Sequence, residues 1–330
     1  MPALRWGLIG ASDVAATRMI PAMRRLGHQV SAVGDPTPDW AAAYAAKNEI
    51  PASGSVEELV ARDDVDAVYI STKNEFHRDH AIPPRGPAST SCARSRSRSR
   101  STTGRRCWRR PRRRASSWAR TTTSPAATRT ARSASWSRPA PSGGCSRSAS
   151  STRSRPPRLQ GWRLASKAGG GVALDVTCHD AAVINPLVGE LPSDLVALST
   201  KQGSWEAAAE DALMSTMRYA NGVLVQTHDA FTVAYAPTGM HVIGEDGAIL
   251  ATNVMTQEPI GTVVLRDAQG EREIDIPNRR DLYDINVSGF AAAVSGEADR
   301  PVVTGLEGLQ AAQVALAVRQ AADTGERVVL

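Results

Sequence analysis

Residues 4–15, LRWGLIGASDVA, decide the fold. The apolar run that ends at Ile9 predicts a short buried strand, and the small residues after it predict a tight turn into an amphipathic helix. Gly10 permits the turn, while the small side chains of Ala11 and Ser12 let the backbone approach a pyrophosphate, which the amides of the helix would face. The second and third glycines of the GxGxxG pattern are replaced by serine and alanine. The turn could therefore also merely join a strand to a helix.

The residues that follow continue this alternation of strand and helix. Strand patterns cover 29–34 and 66–71, and helical patterns cover 37–48 and 55–61, the latter opening with the capping box Ser55/Glu58. An acidic residue, Asp35, stands 25 positions after Gly10. Strand, tight turn, helix and strand with an acidic residue at this spacing predict a dinucleotide-binding domain.

Asp35 bears on the type of cofactor. A carboxylate at the end of the second strand accepts hydrogen bonds from both ribose hydroxyls and repels the 2′-phosphate of NADP(H). No arginine follows within ten residues to receive such a phosphate. The sequence therefore favours NAD(H) over NADP(H), although an aspartate before Pro36 can also be an ordinary turn residue.

Residues 159–330 have a different pattern. A GGG triplet precedes Asp175 and His179, which lie four residues apart and would share one face of a helix. Such a pair can transfer a proton, because the carboxylate orients the imidazole and supports its charged form, but it is also common as a surface contact. Further patterns predict an antiparallel sheet and two closing helices: strands at 212–219, 222–231, 240–250 and 261–266, and helices at 281–294 and 306–324.

The charge of the chain is unevenly distributed. The whole sequence carries +6, whereas residues 83–158 hold 20 arginines and no acidic residue, so the flanks are acidic. The same stretch contains no Leu, Ile, Val, Met or Phe, and therefore offers no side chains for an aliphatic core. We divide the chain into the first part of a Rossmann domain at 1–82, an anomalous segment at 83–158 and an α+β domain at 159–330.

Composition excludes several classes of protein. No apolar run reaches the ~18–20 residues of a membrane span. The four cysteines form no CxxC pair, so we expect neither a metal site nor a disulfide framework. No charged and apolar leader is visible, and we expect a cytoplasmic protein.

Five strings in the chain are distinctive: GLIGASDVA, VDAVYISTKNEFH, LQGWRL, GGGVALDVTCHDA and NVMTQ. Together they resemble the glucose–fructose oxidoreductase/inositol dehydrogenase family over about residues 4–82 and 159–330. The resemblance implies an α/β fold, with a Rossmann domain followed by an α+β domain whose open, mainly antiparallel sheet covers the nicotinamide and often mediates homo-oligomerisation. It also implies hydride transfer to or from the carbonyl of a small substrate, a sugar or anhydro-sugar ketone.

The resemblance assigns roles to individual residues. Asp175 and His179 match acid/base positions on the substrate side, so we expect His179 to donate the proton and Asp175 to orient it. Together with Asp35, the cofactor-binding positions are Gly10, Ala11, Ser12, Asp13, Val14, Ser71, Thr72, Asn74, His77, Trp162, Arg163 and Tyr283. No metal ligand is among them.

Two motifs of that family are missing. Its EKP lysine, which contacts cofactor and substrate, and a later NHH string should both lie inside 83–158. A shift of one base restores them, because codons compatible with the printed residues re-read as GKHVLCEKP over 87–95, GVVLGTNHHL over 115–124 and RVLAVRVFHAV over 144–154. We therefore interpret residues 83–155 as a frameshift, and expect the chain as printed to be inactive or nearly so.

Two other functions remain open. Arginine alternates with serine at 95–101, and Trp108, Trp118 and Trp136 lie in the same basic segment, so this segment could neutralise phosphates and stack on the bases of a nucleic acid. The acidic flanks argue against a nucleic-acid partner. If the shifted chain is what the cell makes, the protein could instead be a non-catalytic remnant that lacks the lysine.

Overall fold

A computed structural model describes residues 3–82, 161–165, 169–203, 207–233 and 236–330, together with the backbone of 144–150. Most of the arginine-rich segment lies outside the described residues, and so does the prediction that it lacks a packed core. Among the described residues, no helix combines the length and the apolar character needed to cross a membrane.

The N-terminal part is a parallel sheet flanked by helices. Its strands are β1 (Arg5–Ile9), β2 (Gln29–Gly34), β3 (Ala52–Gly54) and β4 (Ala67–Ile70), in the spatial order β3-β2-β1-β4. Its helices are α1 (Ile20–Arg25), preceded by a π-helical turn at Ala15–Met19, α2 (Pro38–Lys47), α3 (Val56–Val60) and α4 (His77–Ala81), preceded by a 3₁₀ turn at Asn74–Phe76. The chain moves from β1 to one side and later returns to pair β4 on the other side. The carboxyl end of β1 is therefore the point where open α/β sheets bind ligands.

The C-terminal part is built on one larger sheet. Its strands are β5 (Gly144–Ser150), β6 (Pro192–Thr200), β7 (Ala212–Tyr219), β8 (Leu224–Ala230), β9 (Gly239–Ile243), β10 (Gly247–Thr252), β11 (Thr262–Asp267), β12 (Gly270–Glu273) and β13 (Val328–Val329). Their order is β12-β11-β10-β9-β5-β8-β7-β6-β13, and among the described pairs only β5 with β8 is parallel. Its helices are α5 (Trp162–Ala165), α6 (Cys178–Val188), preceded by a π-helical turn at Ala173–Thr177, α7 (Leu282–Ser295) and α8 (Gly305–Thr324).

The alternation of side chains in β7 decides which face of this sheet is buried. Leu213 and Met217 point into a core that also contains Ile184 of α6 and Val318 of α8. Met214 and Thr216, which alternate with the buried residues, are exposed, as the period of two requires. One face is therefore covered by helices, and the other face is open.

Helix α7 connects the two parts. It follows the larger sheet in the chain, yet Tyr283 and Val287 are each 1% exposed within the core of the N-terminal part, together with Leu8. On the surface of the same contact, Nη2 of Arg25 donates to Oδ1 of Asp284 at 2.7 Å. Helix α7 therefore packs into the N-terminal core, although it follows the larger sheet in the chain.

The fold class and most long elements agree with the sequence predictions. The bounds of β2 and β7 are those predicted, and the capping box of Ser55 and Glu58 is present. The prediction of one strand over 240–250 is wrong, since this stretch is a hairpin of β9 and β10 closed by a hydrogen bond from Gly244 N to Gly247 O. The polar Glu-Asp-Gly between two apolar runs is the turn signal that separates them. The sequence analysis missed β3, β12 and β13, which have two to four residues each, and also the nine-residue strand β6.

Candidate active site

The carboxyl ends of β1, β2 and β4 bring the first group of predicted residues together. Gly10, Asp35 and Ser71 directly follow these three strands. Gly10 N donates to Gly34 O at 2.8 Å, and Ser71 Oγ donates to Gly10 O at 3.0 Å. The turn after β1 is thus held from the strands on both sides.

Gly10 has a backbone conformation that requires glycine. Its φ is +95°, and a Cβ on it would lie 2.7 Å from Cγ2 and 2.9 Å from N of Thr72. An L side chain here would both strain the backbone and push the β4 loop away. The close approach leaves a cradle of small residues of the kind that a pyrophosphate needs.

Asp35 joins this turn to the start of α2. Its Oδ2 accepts from Ala11 N at 3.2 Å, and its Oδ1 accepts from Thr37 N at 2.9 Å. Asp35 therefore does act as a turn residue, which is one of the two roles that the sequence left open. Each carboxylate oxygen can accept more than one hydrogen bond, so the geometry is also compatible with contacts to ribose hydroxyls.

Helix α2 supports the turn with two side chains that the sequence analysis did not single out. Tyr44 donates its hydroxyl to Ser12 O at 2.8 Å, and Trp40 Nε1 donates to Ala11 O at 3.4 Å. Burial, assisted by the nearby charge of Asp13, raises the pKa of Tyr44 to about 12, so its phenol stays a donor. The signal in the sequence was the spacing of four residues between the two aromatic rings on one helix.

The remaining residues of the turn begin the helix. Ser12 Oγ accepts from Ala15 N at 3.1 Å, which satisfies an amide of the first turn. Asp13 is exposed beside it, and Val14 packs against the N-terminal core.

The loop after β4 is closed by its own histidines. His77 Nε2 donates to Thr72 O at 2.7 Å, and His80 Nδ1 lies 3.0 Å from Thr72 Oγ1. Asn74 Nδ2 reaches across to Gly169 O of the C-terminal part at 3.0 Å. Of the side chains in this loop that make these bonds, only that of His80 was absent from the sequence predictions.

A cavity of about 290 Å³ lies where this loop meets the C-terminal part. Its lining comes from both sides and consists of Lys73, Asn74, Glu75, Trp162, Ala165, Gly169 and Gly170. The sequence analysis named only Asn74 and Trp162 among them, because the others become neighbours through tertiary contact.

Trp162, Arg163 and Asp175 form a connected group beside the cavity. The Arg163 guanidinium lies 4.7 Å from the centre of the Trp162 ring, and its Nε donates to Asp175 Oδ2 at 2.8 Å. Both charged side chains are largely buried. Arg163, expected to contact the cofactor, is thus engaged with the predicted acid/base pair.

The predicted hydrogen-bond partner of Asp175 is therefore different in the structure. Among the described residues its side chain bonds to Arg163, and none of its hydrogen bonds joins it to His179. A charge-assisted bond to a guanidinium already stacked on an indole is a stronger competitor than an imidazole one turn away. His179 itself lies near the start of α6 and is partly exposed.

The turn that carries Asp175 is anchored on both sides. Glu210 accepts from Ala173 N through Oε1 at 3.0 Å, and Thr177 Oγ1 donates to Asp229 Oδ2 at 2.7 Å in a fully buried pair. A π-helical turn is a strained insertion in a helix, and such turns are frequent at functional sites. Tyr283, by contrast, is buried in the N-terminal core and does not reach the cavity wall.

Comparison with known proteins gives these features a context. The family model described as "Oxidoreductase family, NAD-binding Rossmann fold" matches residues 4–83, and the model described as "GFO/IDH/MocA C-terminal domain" matches residues 146–250. The 1,5-anhydro-D-fructose reductase of Ensifer adhaerens is 37% identical over 325 residues, which are 98% of this chain and 97% of that protein. The chain belongs to the GFO/IDH/MocA oxidoreductase family. Membership favours an oxidoreductase over the nucleic-acid-binding alternative.

Solved structures share the GFO/IDH/MocA architecture over the whole chain. Levoglucosan dehydrogenase in complex with NADH and L-sorbose has a TM-score of 0.73 at 16% identity and covers 100% of this chain and 99% of its own. The aldose-aldose oxidoreductase of Caulobacter crescentus complexed with glycerol has a TM-score of 0.72 at 15% identity and covers 100% of both chains. These similarities confirm the predicted fold, a Rossmann domain followed by a domain with an antiparallel sheet.

Proposed function

We propose that this protein reduces the ketone of a sugar or anhydro-sugar with NADH. The observation that carries the proposal is the 37% identity to a 1,5-anhydro-D-fructose reductase across 98% of the chain. The bound nicotinamide would supply the hydride. The cradle at Gly10, which a Cβ would fill, suits a pyrophosphate, and Asp35 at the end of β2 suits a ribose without a 2′-phosphate.

His179 is our candidate proton donor to the carbonyl oxygen. It lies at the start of α6, one turn after Asp175, whose carboxylate accepts from Arg163 beside Trp162. The acid/base role itself rests on the resemblance to the family.

The arginine-rich segment also enters this proposal. The N-terminal family match ends at residue 83, where the segment begins, and the C-terminal family match starts at residue 146, inside the segment. The strand β5 lies between β8 and β9, yet its letters, GCSRSAS, include no β-branched or aromatic residue, whereas the re-read RVLAVRVFHAV is a typical buried strand. These observations support a frameshift near Ile82 that is compensated near Arg155. Resequencing the coding DNA across codons 80–160 tests it, and a single uninterrupted frame that encodes the printed residues would reject it.

The experiment for the function compares the printed chain with the frame-restored chain. NADH oxidation is followed with 1,5-anhydrofructose and related ketoses, and we expect clear turnover after restoration and little before it. In the active protein, His179→Ala should lower kcat by ~10²–10⁴-fold and leave the Kd of NADH nearly unchanged. Turnover at a normal rate by the printed chain would reject the claim that the frameshift abolishes activity. Full activity of His179→Ala would reject His179 as the proton donor.

We also propose that a second copy covers the open face of the larger sheet. Leu198 on β6 and Met214 on β7 are paired in register, and they are 76% and 50% exposed on that face. Apolar side chains that are grouped on one sheet face are typical of an interface. Light scattering gives the mass in solution, where Leu198→Lys should convert a dimer or larger assembly to a smaller one. A native monomer would reject the proposal.

A further inference from the structure

Trp40 presents an unusual surface next to the dinucleotide turn. Its side chain is 62% exposed, although it is a large aromatic group on the helix that supports the turn. The hydrogen bond from its Nε1 to Ala11 O fixes the ring there. A buried indole would simply be part of a core, whereas an indole that is both fixed and exposed offers a flat face to a ligand.

The neighbours of Trp40 identify the chemistry of that ligand. Ala11 accepts from Trp40 through its carbonyl and donates to Asp35 through its amide, so the indole and the carboxylate are bonded to the same residue of the turn. Tyr44 supports the turn one residue further along, but its ring is mostly buried. Of the two aromatic rings, therefore, only Trp40 is free to stack.

We propose that the indole of Trp40 is the platform on which the adenine base of the cofactor stacks. The inference rests on the proposed use of NAD(H). If Asp35 accepts the ribose hydroxyls, the base attached to that ribose lies within reach of the neighbouring indole. Stacking of a base on an aromatic side chain is strongly stabilising and needs no specific hydrogen bond. The carboxylate of Asp35, which is bonded to Ala11, also disfavours a phosphate on this ribose.

The experiment measures, in the full chain, the binding of the ADP-ribose half and of the nicotinamide half of the cofactor separately. The Kd values of ADP-ribose, NADH and reduced nicotinamide mononucleotide are measured for the native protein, Trp40→Ala and Trp40→Phe. Trp40→Ala should weaken ADP-ribose and NADH by roughly 5- to 100-fold and change the mononucleotide by less than about twofold. Trp40→Phe keeps a ring but loses the Nε1 donor, so it should stay within a few-fold of the native protein for all three.

Two control variants calibrate this pattern. Tyr44→Phe removes only the hydrogen bond to Ser12 O and shows the effect of weaker support of the turn. It should raise the Kd of all three ligands by similar factors. Leu306→Ala removes an apolar side chain of α8 that is 64% exposed, far along the chain from the site, and should change none of the Kd values. Because Trp40 is exposed, Trp40→Ala should also keep the native melting temperature.

The outcomes distinguish the platform from the proposed function. If NADH binds but Trp40→Ala leaves the Kd of ADP-ribose unchanged, the platform is rejected and the function stands. If Trp40→Ala weakens the mononucleotide as much as ADP-ribose, Trp40 only supports the turn, and the platform is again rejected. If neither the printed chain nor the frame-restored chain binds NADH or ADP-ribose, both the platform and the proposed function are rejected.

Discussion

Asp35 supports the turn after β1, and we propose that it also binds the ribose of the cofactor. A substitution can separate these two roles. Its carboxylate holds the amides of Ala11 and Thr37, so any replacement weakens the turn for both forms of the cofactor. Only the negative charge discriminates against a 2′-phosphate. The ratio of kcat/KM with NADH to kcat/KM with NADPH therefore reports discrimination against the 2′-phosphate. The absolute values of kcat/KM report how well the turn is supported.

We expect Asp35→Ser to narrow or reverse a preference for NADH over NADPH. The measurement is kcat/KM with each cofactor in the frame-restored protein. Asp39→Ser, which removes an exposed carboxylate in the first turn of α2, is the matched control and should change the ratio much less. Equal or better efficiency with NADPH in the unsubstituted protein would contradict the assignment.

His28 makes the stability depend on pH. It is 6% exposed, and its Nδ1 accepts from Leu4 N at 3.1 Å, which requires a neutral ring. Burial, with a smaller contribution from the N-terminal amine, lowers its pKa below 6.5. The unfolded chain therefore takes up a proton that the folded chain resists, and stability is lost as the pH falls below about 6.5, until the lowered pKa is reached.

Replacing His28 should reduce this pH dependence. The free energy of unfolding in urea is measured between about pH 7.5 and pH 5, where His28→Gln should give a shallower slope than the native protein. His241→Gln, on the exposed side of β9, is the control and should keep the native slope. An unchanged slope in His28→Gln would show that other groups carry the effect.

At the scale of elements, α8 begins with a reciprocal cap. Glu307 N donates to Thr304 Oγ1 at 3.3 Å, and the Glu307 carboxylate accepts from Thr304 N at 2.8 Å. Burial acts to raise the pKa of Glu307, but the hydrogen bonds from Thr304 and Arg300 outweigh it and leave the pKa lowered. The cap fixes the start of a helix whose Val314 and Val318 are fully buried.

Thr304→Ala should therefore lower the free energy of unfolding by about 1 kcal/mol. Thr324→Ala, at the exposed end of the same helix, is the matched control and should cost less than about 0.5 kcal/mol. Urea unfolding of both variants measures the difference. Equal losses would show that the cap contributes no more than an ordinary surface threonine.

The elements also show where sequence analysis succeeds. Period-two and helical patterns with cap residues gave β7, α7 and α8 to within a residue or two, because each of these elements buries one face. The strand β2 is buried on both faces, and its short apolar run between polar residues gave its bounds. The two π-helical turns gave no recognisable signal, since one inserted residue leaves the composition unchanged. The bond between Arg163 and Asp175 was also missed, because it joins α5 to the turn before α6 through tertiary contact.

At the scale of the whole molecule, α7 is the element that links the two parts. Val287 is 1% exposed in the N-terminal core, although α7 follows the larger sheet in the chain. Local pattern predicted the helix but not its partner, and the cavity between Asn74 and Gly169 could not be predicted for the same reason. The strand ends that hold Gly10, Asp35 and Ser71 could be predicted, because parallel order alone brings them to one edge.

Shortening a side chain of α7 that is buried in the N-terminal core should destabilise both parts of the protein together. Val287→Ala should lower the free energy of unfolding by about 2 kcal/mol through loss of buried methyl groups. Tryptophan fluorescence and far-ultraviolet circular dichroism should shift to the same new midpoint. Val294→Ala, which is exposed near the end of the same helix, should shift neither. Two separate transitions would show that the parts unfold independently.

The position of β4 has a practical consequence for work with the printed chain. Among the described residues this strand pairs only with β1, so within that part of the chain its other edge has unpaired amides and carbonyls beside a Val68 side chain that is 38% exposed. An open edge of this kind recruits strands from other chains, and the tendency grows with concentration. Preparation at low concentration and low temperature should limit insoluble material, and solubility itself becomes a simple screen for versions of the chain that supply β4 with a neighbour.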